Sequence, residues 1–453
     1  MAHNSDCLPW DAIAQNLQWV SATVCQFGAT DLHISFRPEQ AEDFERFAQS
    51  FAKLLEEKGA EERKKYPDVY DPPDEEDVVL DDRVVQKINP LIQKYDVDQF
   101  IRKEMEEEWW RNHRTDPSGE EWATLQQRIH RSRESRRGSP ISEESRLMKA
   151  FLREEKEFGC YNFYHQNGKL YYTIEIVKAL LIAGEMDTLL GIAAHPEIRW
   201  DHWWSFQQCD CGADNTDSGW IRLFQTTLHA YICVNVLYHL RETFGRDKDY
   251  RDVKCYQEML RTRAMNLFGE DTTTEVEPHR RFFGMGPDYF TMDGGETLMQ
   301  SERWKWLTEK ERDDMYPYGF MPIKEFLGCE TDQEVLLGCY LPTSDDVTAV
   351  RTLLTDKGLP VEIVLDILEL ARYEDLGGMR IAHDPFHPGN RDVLLQYLDD
   401  CWRILVHCYV LKEHVKEEEE LTPWTKDWAY HVRDCLRTIW WPGCKEICKS
   451  TIS

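Results

Sequence analysis

The sequence predicts a mainly α fold: an irregular helical body that carries a small β-hairpin and ends in a C-terminal helical bundle. Two observations lead there. Apolar residues recur every three or four positions through most of the chain that is not charge-dense. The last hundred residues show this spacing most regularly, with helix-start and helix-stop residues at its ends. The 42% hydrophobic content and 16 tryptophans supply a core, since chains that stay unfolded are usually poor in aromatics.

Taken in order, Trp10, Ile13, Leu17 and Val20 and then Phe44, Phe47, Phe51 and Leu54/Leu55 form helical stripes, with room for a short strand between Thr30 and Arg37. Residues 1–60 are read as an N-terminal helical region. Residues 61–145 read as a charged, partly disordered connection, acidic and proline-bearing at first and then poor in apolar residues. An aromatic-rich body follows over 146–342. Within it, Tyr161 to Tyr164, an Asn167-Gly168 turn and Leu170 to Ile174 predict the β-hairpin. Helices are expected over Glu175–Ala183 and Trp220–Phe244, the second with Leu223, Leu228, Ile232, Val236 and Leu240 on one side.

Residues 343–453 form the C-terminal helical module. Gly358 suits a left-handed helix end, and Pro360 suits the first turn of the next helix, where its missing N–H costs nothing. Leu394, Leu398, Cys401, Leu405, Cys408 and Leu411 predict a long helix over Arg391–Lys416, and Trp428, Val432 and Ile439 a final short one.

The net charge of −29 argues against nucleic acid and anionic membrane as partners, because both need a positive surface. The first residues lack a basic segment followed by an apolar run, so no secretory signal is expected. The 14 cysteines, with no secretion signal, read as reduced and mostly buried thiols. Cytoplasm or nucleus is the expected location.

Motif chemistry is sparse. Phosphate loops, nucleophile elbows and His-Glu-x-x-His are absent from the sequence. A non-enzymatic role therefore ranks above an enzymatic one, and no cofactor is expected. The weak metal-ligating candidates are His195, His202, Cys209 and Cys211, although Cys-x-Cys is one residue shorter than the usual zinc spacing. His383, Asp384 and His387 have the residue types of a two-His-one-carboxylate iron site, but adjacent His-Asp side chains diverge in most backbones. His387 is expected instead to order the proline-flanked turn by hydrogen bonding. Ser139, in Arg-Arg-Gly-Ser-Pro, is the candidate phosphorylation site.

The most specific motif is Leu359-Pro360-x-Glu362-Ile363-x-x-x-Ile367-Leu368. With Cys401-Trp402-Arg403-Ile404-Leu405 it resembles an F-box, and the wider stretch is similar to segments of uncharacterised proteins of filamentous fungi. The resemblance implies an adaptor whose partner is a cullin-type ubiquitin-ligase subunit, docked on Leu359, Pro360, Ile363, Ile367 and Leu368. The same residues also suit a capped core helix, covered from within by Leu394, Leu398, Cys401 and Leu405. Two alternatives to an adaptor stand beside it. One is a metal-dependent enzyme or metalloprotein with dispersed His and Cys ligands. The other is a regulatory protein that binds a partner helix or small ligand through the aromatic body.

Overall fold

The computed structural model describes residues 8–20, 31–34, 38–92, 141–153, 163–198, 220–241, 249–253, 255–256, 259, 277–283, 344–370, 373, 378–381, 384–415 and 427–440. Of the described residues, 74% are helical. The helices are α1 (Trp10–Gln15), α2 (Pro38–Arg63), α3 (Asp82–Ile92), α4 (Phe163–Ala183), α5 (Met186–Ala193) and α6 (Trp220–Leu240). They continue with α7 (Glu277–Phe283), α8 (Ser344–Asp356), α9 (Val361–Leu370), α10 (Arg391–His414) and α11 (Trp428–Trp440). Strands β1 (Leu17–Val20) and β2 (Asp31–Ile34) pair antiparallel, with Leu17 opposite Ile34. The mainly α class read from the sequence holds.

The predicted hairpin does not form where it was placed. Helix α4 runs straight through Asn167-Gly168. Leu170, Ile174, Val177 and Leu181 fall at spacings of four, three and four, and all four are buried. One helix that buries this whole stripe outweighs the roughly 1 kcal/mol that a helical glycine costs. The Thr173 hydroxyl supports the same geometry, donating to Lys169 O, one turn back, and lying 3.1 Å from Ala150 O. The strand pair lies earlier in the chain, and Leu17 to Val20, read as the end of a helical stripe, are its first strand.

Helix α10 is the centre of the packing. It contacts α2, α4, α5, α6 and α7, and α11 lies against α2 and α6. Its residues Leu394, Leu398, Cys401, Leu405, Cys408 and Leu411 are all buried, as their spacing predicted. An aromatic chain ties the first helices to α6 and α10. Trp10 meets Phe47 edge-on at 4.9 Å, Phe47 leads to Phe51, and Phe51 touches both Tyr231 and Trp402 at 6.0 and 5.4 Å.

Polar groups fix the ends of these helices. Gly184, at φ +74°, ends α4, and the N–H groups of Gly184 and Glu185 return to Leu181 O and Leu180 O. The ring of buried His407 donates from Nδ1 to Leu181 O at 2.9 Å. Burial holds the His407 pKa below its ordinary value, so the neutral ring is the form that fits there. Buried Glu185 is met by Arg83 at 3.2 Å and by Lys87, both on α3. On the outside, Arg433 of α11 grips Glu45 of α2 through both carboxylate oxygens, at 2.7 and 2.9 Å.

Candidate functional site

The turn that leads into α10 is built around one buried amide. Asn390 lies next to α10, yet its side chain is turned away from the helix. It accepts from Ile381 N–H at 2.9 Å and donates to Ile381 O and Asp384 O, each at 2.7 Å. This clamp fixes a loop whose prolines remove backbone donors. His387 Nδ1 accepts from Gly389 N–H at 3.0 Å, the turn-ordering bond its setting suggested.

Held this way, the turn presents Asp384 and Phe386 to α6 and to the short helix Tyr250–Asp252. The Tyr250 hydroxyl donates to Asp384 Oδ1 at 2.7 Å. Burial and this carboxylate both push the tyrosine pKa upward, so the phenol keeps its proton. Phe386 sits between Tyr238 and Tyr250, with centroids at 5.8 and 4.5 Å. Tyr250 leads to Tyr256, and Tyr256 to Phe283 of α7. There Phe282 stacks on Tyr397 of α10 at 4.3 Å and 5°. Buried His279 shares a hydrogen bond of 2.8 Å between its Nδ1 and the Tyr397 hydroxyl.

The result is an aromatic seam running from half-exposed Tyr238, Phe386 and Tyr250 to buried Tyr256, Phe282, Phe283, His279 and Tyr397. Two hydrogen-bonded titratable pairs are set into it, Tyr250–Asp384 and His279–Tyr397. Edge-to-face and offset rings of this kind pack against one another, and the single proton of the Tyr250 hydroxyl is committed to Asp384. Arg241 adds positive charge at the rim, its guanidinium 4.6 Å from the Tyr238 ring centre.

The residues singled out in the sequence lie elsewhere. His202, Cys209, Cys211 and Ser139 fall outside the described residues, as does His383. His195 is described, and its Nδ1 accepts from Glu197 N–H at 3.1 Å. Among the described residues no group of three His, Cys, Asp or Glu is placed to hold a metal ion. Asp384 and His387 are engaged with Tyr250 and Gly389 as above. In the Leu-Pro-x-Glu-Ile helix, Leu368 is buried, Leu359 half-buried, and Pro360, Ile363 and Ile367 exposed. Residues Leu394, Leu398, Cys401 and Leu405 do not cover Ile363 and Ile367, because they are committed to the central core.

A family model described as Gramillins biosynthetic cluster protein GRA5 matches residues 11–442. The chain belongs to this family. No curated protein and no solved structure matches it. Membership overturns the F-box resemblance and the adaptor and protein-interaction role drawn from it, because one match covers both halves of the supposed box together with nearly all the rest of the chain. The physical account agrees for the second half: Cys401 and Trp402 are buried, and Trp402 packs on Phe51 and Tyr231. The family description favours neither the metalloprotein nor the regulatory alternative. The seam escaped the sequence reading because each of its residues is an ordinary aromatic locally. Only the proline-flanked turn around His387 gave a signal.

Proposed function

We propose that the protein serves the biosynthesis of a secondary metabolite such as the gramillins for which its family is named. The observation that carries this reading is the family match over residues 11–442, which spans every element of the seam. On this reading the pathway's small molecule would meet the half-exposed rim of the seam, Tyr238, Tyr250 and Phe386. Its half-exposed rings would hold an apolar or aromatic part, and Tyr250–Asp384 a polar one. The net charge of −29 supports work away from nucleic acid and anionic membranes.

The test is disruption of the gene in its own organism under producing conditions, followed by mass-spectrometric profiling of metabolites. A missing product or an accumulated intermediate is expected, restored by the wild-type gene and not by Asp384→Ala. An unchanged profile in the disruptant overturns the biosynthetic reading. Full restoration by a stably expressed Asp384→Ala variant removes the seam from it.

A further inference from the structure

The helical hairpin α8–α9 concentrates exposed apolar side chains. Leu353, Val361, Ile363, Leu365 and Ile367 are exposed at 59, 40, 45, 48 and 38%, and they make up most of the exposed large hydrophobics among the described residues. Scattered single apolar residues on a surface are ordinary, whereas a concentration on one short element marks a contact face. At 100° per residue, Val364 and Leu368 share the buried side of α9. Val361 with Leu365 and Ile363 with Ile367 then form two apolar ridges flanking it. Glu362 and Asp366, also four residues apart and exposed, form an acidic ridge between those two on the outward side.

Helix α9 carries no basic residue. That charge pattern selects the occupant. A second copy of this chain would set Glu362 and Asp366 against their own counterparts, under a net charge of −29, and like charges facing each other oppose such a pair. We infer that α9 docks a basic amphipathic helix of a partner protein. The partner's apolar stripe covers Ile363 and Ile367, and its lysines or arginines face Glu362 and Asp366. The nearly three turns of α9 give room for anchors at four-residue spacing on each side. This inference is independent of the metabolite reading and does not revive a ubiquitin-ligase adaptor.

The experiment titrates the full chain into a labelled synthetic helix of leucines and lysines in amphipathic order, read by fluorescence anisotropy. Two control peptides are a scramble of the same composition and a leucine–glutamate version. The ordered basic helix is expected to bind at least about tenfold tighter than either control, and to weaken as salt rises. Ile363→Ser/Ile367→Ser is expected to weaken it by a further factor of about ten or more, with helix content and melting temperature retained because both residues are exposed. Glu362→Lys/Asp366→Lys keeps the apolar ridges and is expected to switch the preference to the leucine–glutamate helix. Equal binding of the scramble, or indifference to either double variant, overturns the inference. Self-association that is abolished by Ile363→Ser/Ile367→Ser in sedimentation also overturns it, assigning the face to a second copy.

Discussion

Acidification tests the packing of α11 through one residue. His431 is 9% exposed and lies against Phe224 at 5.7 Å and Trp428 at 6.1 Å. Across from it, the Lys412 ammonium of α10 rests 4.3 Å above the centre of the Trp428 ring. Burial, and after it the Lys412 cation, push the His431 pKa down from 6.5 to about 4, while Asp427 pulls weakly the other way. The unfolded chain therefore takes up the proton before the folded one does. Stability from the neutral ring is fully present above pH 6.5, falls as pH drops, and is exhausted once pH passes below about 4. At about 1.4 kcal/mol for each unit between these values, the whole effect is about 3 kcal/mol. About 2 kcal/mol of it falls between about pH 7 and about pH 5.

The assay is denaturant unfolding of the full chain at those two pH values, followed by tryptophan fluorescence, for wild type and His431→Gln. Other groups, including buried His407, titrate in both proteins and cancel in the difference. Wild type should lose about 2 kcal/mol more than the variant on going to the lower pH. Equal losses would show that the folded His431 accepts its proton without penalty. The account of a dry pocket shared by His431, Trp428 and Lys412 would then be wrong.

Two further outcomes bear on the turn and the helix ends. Asn390→Ala should cost about 3 kcal/mol in the same assay, because the fully buried amide is lost and Ile381 N–H, Ile381 O and Asp384 O lose their partner at a part-buried site; a cost below about 1 kcal/mol would mean the clamp is dispensable. Gly358→Ala, at φ +88° with open space around the new methyl group, should cost about 1 kcal/mol from backbone strain alone. Gly184→Ala, at φ +74° and with His407 Cε1 3.4 Å from the new carbon, should cost at least as much. Equal or higher melting temperatures for both variants would refute the left-handed assignment.

How far the sequence could be read follows from the range of the interactions involved. Phe47, Phe51 and Leu55 of α2 and the six-residue stripe of α10 repeat at helical spacing, and a helix that buries such a stripe is specified locally. Gly358 is equally local: its N–H and that of Leu359 return to Thr355 O and Leu354 O, within one turn. Asn167-Gly168 failed as a guide because a turn dipeptide is a local preference of about 1 kcal/mol, overridden by the apolar stripe that continues beyond it. The F-box resemblance failed for a related reason. A proline-led helix start followed by isoleucines describes how a helix begins, and that chemistry is shared by helices of unrelated purpose.

The seam shows what a one-dimensional pattern leaves out. Tyr250 and Asp384 are 134 positions apart, and His279 and Tyr397 are 118 apart. Each pair meets because α10 lies against both α6 and α7, while the Asn390 clamp holds the turn at its N-terminal end. The turn's stiffness and the seam's geometry are therefore one property. If Asn390 releases Asp384, Tyr250 loses its acceptor and Phe386 loses its place between Tyr238 and Tyr250. Asn390→Ala should then disturb the metabolite profile as Asp384→Ala does, although its side chain belongs to neither of the seam's pairs. An Asn390→Ala strain that makes normal product, with the purified variant still destabilised, would separate the clamp from the seam and leave the turn a purely structural element.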